Sequence, residues 1–156
     1  MGKPQKLLIT AGTLAGLCLL GFIGARIGVA VVSGPPDNLG HKNGRLAPCP
    51  DTPNCVSSQA ADAGHSIEPL AFSGSADDAR ARLLAALNTV PRLTVVTDDG
   101  NYIHAEARSL MWGFVDDNEF YIDEAAGVIH VRAAARLGVS DLGKNRQRIE
   151  AIRAAF

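Results

Sequence analysis

The sequence predicts an α+β protein: a small antiparallel sheet of about four strands flanked by two helices, behind an N-terminal transmembrane helix. Three observations carry this reading. Residues 7–25 form an uncharged, apolar run of 19 residues behind Lys3 and Lys6, and about 20 such residues span the hydrocarbon core of a bilayer. Four segments between residues 93 and 135 are β-branched or alternate in polarity, with turn sequences between them. One helical pattern precedes these segments and one follows, so that two helices can cover one sheet face.

The organisation follows chain order. Residues 1–32 form a membrane anchor or signal, residues 33–48 a flexible Gly/Pro-rich linker, and residues 49–156 an exported α+β domain. The chain is 47% hydrophobic and 20% charged, which excludes a disordered composition. Fifteen basic residues face sixteen acidic ones, so the charge footprint of a nucleic-acid binder is missing and no nucleic-acid partner is expected.

Arg26 interrupts the apolar run, which resumes over residues 27–32; near the end of a span an arginine snorkels to the headgroups. The length favours a retained anchor. In the alternative, a cleaved signal, Gly28 and Ala30 supply the small residues of the cleavage site. Leu17 before Cys18 does not fit a lipoprotein site, and Lys6 stands where a myristoylation signal has Ser or Thr. Cys18 reads as one more apolar residue of the span. Lys3 and Lys6 lie before the run, and beyond Arg26 no basic residue occurs until Lys42. The positive-inside rule then leaves the N-terminus in the cytoplasm and exports the rest. The expectation is a single-pass protein of a bacterial inner membrane, held through residues 7–32, with its C-terminal domain in the periplasm. Residues 33–156 carry 12 basic and 16 acidic residues, a balance that disfavours docking on anionic lipid.

Ser33-Gly34-Pro35-Pro36, Asn43-Gly44, Pro48, Pro50 and Pro53 predict an extended tether without helix. Cys49 and Cys55 are close enough to read as a disulfide in an exported chain; closing a seven-residue loop stabilises by about 2–2.5 kcal/mol. The sharper alternatives are a redox pair, or a metal site completed by His41 and His65. Neither finds a C-x-x-C, C-x-x-C-H or H-x-x-x-H spacing, so no metal or cofactor is expected.

Within the domain, residues 66–70 read as a short strand. Ser75-Ala76-Asp77-Asp78 is a capping box for a helix that carries Leu83, Leu84 and Leu87 on one side and ends before Pro91. Residues 93–97 are a β-branched strand, and Asp98-Asp99-Gly100-Asn101 is a turn. Residues 102–109 alternate, with His104, Glu106 and Arg108 on one face. Residues 114–123 form the third strand; its alternation breaks at Asp116-Asp117, where a bulge is expected. Residues 128–135 form the fourth, with His130, Arg132 and Ala134 on one face. Ser140 or Asp141 caps the last helix, whose stripe is Leu142, Ile149, Ile152 and Phe156. Trp112, the only tryptophan, is expected in the core, at a sheet edge or along a ligand groove.

Three blocks resemble a known family. Pro50-Asp51-Thr52-Pro53-Asn54-Cys55-Val56-Ser57-Ser58 is similar to the opening motif of the bacterial and plastid "domain of unknown function 1499" family. Gly113-Phe114-Val115-Asp116-Asp117-Asn118-Glu119-Phe120 is similar to a second block. The third runs from Val131-Arg132-Ala133-Ala134-Ala135-Arg136 to Ser140-Asp141-Leu142-Gly143-Lys144-Asn145-Arg146. The resemblance covers about residues 46–156. It departs at Ala133 or Ala135, where the family pattern has Ser. The resemblance implies no particular activity.

The candidate ligand-binding residues are His104, Glu106, Arg108, Asp116, Asp117, Glu119, Arg132, Arg136, Asp141, Asn145 and Arg146. Arg132 and Arg136 beside a helix N-terminus would suit an anion. The competing reading is a set of salt bridges on a solvated sheet face, with Asp141 only a cap. Ser57, Ser58, Ser109 and Ser140 offer hydroxyls and His65 and His104 offer bases, but no nucleophile elbow frames them. Glu106 with Asp117 or Glu119 would form a glycosidase-like pair if the fold set their separation. The expectation is therefore a membrane-tethered cell-envelope domain that binds a protein or small-molecule partner without chemistry. A hydrolase or metal-dependent enzyme using His104 and its neighbouring carboxylates is the alternative, and an accessory subunit of a membrane complex the second.

Overall fold

The computed structural model describes residues 3–156, with side chains from Ala11 onward. The myristoylation motif at Met1-Gly2 and the side chains of Lys3 and Lys6 lie outside the described residues.

Helix α1 (Lys3–Val32) includes a 22-residue stretch, Ala11–Val32, of mean hydropathy 2.1 and with no part buried in the protein. It is long and apolar enough to cross a membrane. The chain then forms a two-stranded hairpin, β1 (His41–Lys42) and β2 (Arg45–Leu46). Next come β3 (Cys55–Ser57), β4 (Leu70–Ala71), α2 (Ala76–Asn88), β5 (Leu93–Asp99), β6 (Tyr102–Arg108), β7 (Val115–Asp123), β8 (Val128–Ala135) and α3 (Lys144–Ala155).

Strands β5 to β8 form the expected antiparallel meander. The sheet has six strands rather than about four, because β3 and β4 both pair with β8, at its two ends. The short strand expected at residues 66–70 is instead Leu70–Ala71; Ser66 makes only an isolated bridge to Ser57. The bulge expected at Asp116-Asp117 is absent, and both neighbours of β7 keep register there. The irregularity falls in β5, between Val95 and Thr97.

One sheet face packs on α2 and α3. Phe120, Leu83, Leu87, Ile103, Ile129, Ile149 and Ile152 are fully buried between them, each contributing about 1.5–3 kcal/mol relative to exposure. Ser75 caps α2 as expected: its hydroxyl accepts from the Asp78 amide and donates to the Asp78 carboxylate. Helix α3 starts at Lys144, later than the apolar stripe implied. Leu142 is 84% exposed and stands outside the helix at φ +56°. The N-cap is Gly143, at φ +74° and without a side-chain cap, rather than Ser140 or Asp141; Asp141, two residues ahead of it, accepts from the Gly143 and Asn145 amides.

The opposite sheet face is covered by residues 33–50. Asn43 and Gly44, both at positive φ, make the two-residue turn of the β1–β2 hairpin, and β2 lies against β7 and β8. Gln59 latches this hairpin, accepting from the Leu46 amide and donating to the Gly44 carbonyl. Cys49 and Cys55 are disulfide-bonded, which ties the end of this strap to the edge strand β3.

Candidate functional site

Register builds the site. His104 pairs with Glu119, Glu106 with Asp117, and Glu119 with Arg132. Because side chains alternate along a strand, His104, Glu106 and Arg108 on β6, Asp117 and Glu119 on β7, and Arg132 on β8 share the strap-covered face. Arg136, just beyond β8, reaches back into them.

The centre of the face is buried, not solvated, and of these residues only Arg108, at its margin, is exposed. Glu119 is 0% and Arg132 4% exposed, and they pair at 2.7 Å. The other Glu119 oxygen accepts from the Tyr102 hydroxyl and the Gly40 amide, each at 2.8 Å. Arg136 is the hub. Its Nε and Nη2 donate to Asp117, at 2.9 and 2.6 Å. Nη2 also donates to Glu106 at 2.5 Å, and Nη1 to the Ser33 carbonyl at 2.8 Å. His104 Nε2 lies 2.8 Å from Asp117, and Arg108 takes the second oxygen of Glu106. Every oxygen of the three carboxylates thus has a donor.

Electrostatics follow from burial and these partners. Burial alone pushes Asp117 up, but the hydrogen bonds from Arg136 and His104 outweigh it and hold the carboxyl below its ordinary value. The Asp117 hydrogen bond raises Arg136. Burial, then the Glu119 charge, pushes the Tyr102 phenol well up, so it stays a neutral donor.

Between strap and sheet lies a cavity of about 350 Å³. Pro36, Asn38 and Pro48 line it from the strap; Asp117, Arg132 and Arg136 line it from the sheet. Arg132 Nε is buried without a hydrogen-bond partner.

Four expected residues lie elsewhere. Asp116, one residue from Asp117, points to the helix face and pairs with Arg148 at 2.7 Å; burial raises its carboxyl despite that arginine. Asp141 accepts from the Gly143 and Asn145 amides at the start of α3. Asn145 is buried and donates to the Asn54 carbonyl. Arg146 donates to the carbonyls of Ser66 and Gly64. Asn145 and Arg146 fasten α3 to the loops around β3, so the start of this helix is turned to those loops and not to Arg132 and Arg136.

The nucleophile pairings also resolve. His65 lies 2.8 Å from Asp62 and 3.1 Å from the Thr52 carbonyl, bracing the disulfide loop. Ser58 Oγ lies 3.3 Å from His130 Nδ1, while His130 Nε2 is 4.0 Å from Asp123, beyond hydrogen-bond reach. The Ser58 amide donates to the Val131 carbonyl and is not free to stabilise an oxyanion. Glu106 and Asp117 face each other in register but are joined by Arg136. Among the described residues, no three of His, Cys, Asp or Glu converge as a ligand set.

Sequence reasoning missed Tyr102, Gly40, the Ser33 carbonyl and the strap wall of the cavity. Tyr102 had a signal, since it shares the period-two register of His104. Asn43-Gly44 had another, as a hairpin turn between two short extended pairs.

The family model for proteins of unknown function designated DUF1499 matches residues 45–156, from β2 to the last residue. No curated protein matches the sequence. A match over most of the chain, covering the sheet, both flanking helices and the disulfide loop, settles its family: the chain belongs to the DUF1499 family of proteins of unknown function.

Proposed function

We propose that the chain is a single-pass protein of a bacterial inner membrane whose periplasmic domain binds a small anionic ligand, without chemistry, in the cavity between strap and sheet. The observation that carries this is a surplus of donors. The carboxylates of the cluster already accept at every oxygen, whereas Arg132, one of the residues along the cavity, keeps a buried Nε without a partner. A buried donor left unmade costs about 1–3 kcal/mol, and a carboxylate or phosphate oxygen is the natural group to take it up. Each of these carboxylates is held by an arginine, which favours its charged form and opposes its taking up a proton as a general base. The apolar helix and the Cys49–Cys55 disulfide support membrane tethering and an oxidising compartment.

Removing Arg132 is a poor test. It would strand Glu119 at about 3–5 kcal/mol, and loss of folding would mask loss of binding. Asn38 is exposed at the cavity wall and in no ion pair, so Asn38→Asp adds a repelling charge and spares the network. The measurement is NMR of the arginine Nε–H signals during titration with inorganic phosphate and with benzoate. The expected result is a saturable shift of the Arg132 signal with at least one anion, weakened in Asn38→Asp. If neither anion moves it, the reading fails.

A further inference from the structure

We propose that the loop of residues 109–114 is a second membrane contact, seated in the lipid beside α1 and fixing how the domain sits on the bilayer. Ser109-Leu110-Met111-Trp112-Gly113-Phe114 carries no charge. Leu110 is 73%, Met111 60%, Trp112 41% and Phe114 41% exposed. Four large apolar side chains exposed in one short loop are more than the scattered singles normal on a soluble surface.

Their position names the occupant. The Trp112 ring lies 5.5 Å from that of Phe22, and Arg26 Nη1 donates to the Leu110 carbonyl at 3.4 Å. Both partners belong to the apolar helix. An arginine near the end of a span marks the headgroup level. Phe22 lies four residues deeper, about 6 Å along the axis at 1.5 Å per residue. The loop therefore starts at the headgroups and carries Trp112 below them, a depth that suits an amphipathic indole.

The backbone fits the same setting. The Gly113 amide donates to the Ser109 carbonyl, the Phe114 amide to the Ser109 hydroxyl, and the Ser109 amide to the Phe114 carbonyl. These bonds satisfy the polar backbone groups at the base of the loop. Gly113 closes the loop beside Arg26 at φ +74°, a backbone conformation that favours glycine. The contact is apolar, and the acidic balance of residues 33–156 gives anionic lipid no part in it.

This inference rests on reading α1 as a retained membrane anchor, and the experiment separates the two. The full chain is reconstituted into phosphatidylcholine vesicles, and flotation reports the anchor. Trp112, the only tryptophan, then reports the loop. Lipids brominated high on the acyl chains are expected to quench its emission, iodide in the buffer is not, and Phe22→Ala leaves the lipid quenching in place. A floating chain whose Trp112 is quenched by iodide and not by lipid overturns the loop contact and leaves the anchor standing. Lipid quenching that disappears in Phe22→Ala also overturns it, because the loop then rides on the helix alone. A chain that does not float overturns the anchor and the loop contact together.

Discussion

Asp117 sits where two opposing effects meet. Burial favours its neutral form, and Arg136 with His104 favours the carboxylate; the second pair wins, and the carboxyl lies below its ordinary value. A carboxyl depressed in the folded state stabilises the fold at pH above its unfolded value, near about 4. That stability is lost as pH falls through the depressed folded value. Urea unfolding followed by circular dichroism from neutral to strongly acidic pH should therefore show stability falling below about pH 4, with a shallower fall in Asp117→Asn. At this scale the sequence was informative about type and blind to burial. The alternation of His104, Glu106 and Arg108 marked a face, but a charged face exposed to water and one closed by a distant segment share the same alternation. Asp116 and Asp117 are adjacent in one strand, and adjacency in a strand sends side chains to opposite faces.

The strap is the element on which the site depends. It presents the Gly40 amide to Glu119 and the Ser33 carbonyl to Arg136, and its turn rests on Tyr121. A Cβ on Gly44 would stand 3.3 Å from that ring, at φ +75°. Gly44→Ala should thus lift the hairpin while sparing the helix-facing core. The expected outcome is faster hydrogen exchange at the Gly40 amide with unchanged protection in β7. Long elements were legible: β8 spans the residues the alternation implied, and Ser75 caps α2. Strands of two or three residues were not, because β3 and β4 are defined by pairing with β8, which lies more than 50 residues further along the chain. Gly and Pro in residues 33–50 announced turns but could not say against what those turns pack.

Across the whole molecule, the Cys49–Cys55 bond closes the strap onto the sheet. Replacing both cysteines with serine should cost about 2–2.5 kcal/mol by loop-closure entropy, read as a lowered urea midpoint, and loosen the cavity wall that Cys49 helps to form. The two sides of the sheet end differently. On the β8 side, β3 and β4 occupy most of the edge. On the other, β5 has no partner beyond β6 among the described residues, which leaves a row of backbone groups able to recruit a strand from another copy. Its residues counter that. The irregularity between Val95 and Thr97 bends the edge, Asp98 holds Arg80, Asp99 adds a second charge, and Pro91 stands just ahead of it. Wherever copies crowd together, such an edge keeps neighbours from zipping into a shared sheet.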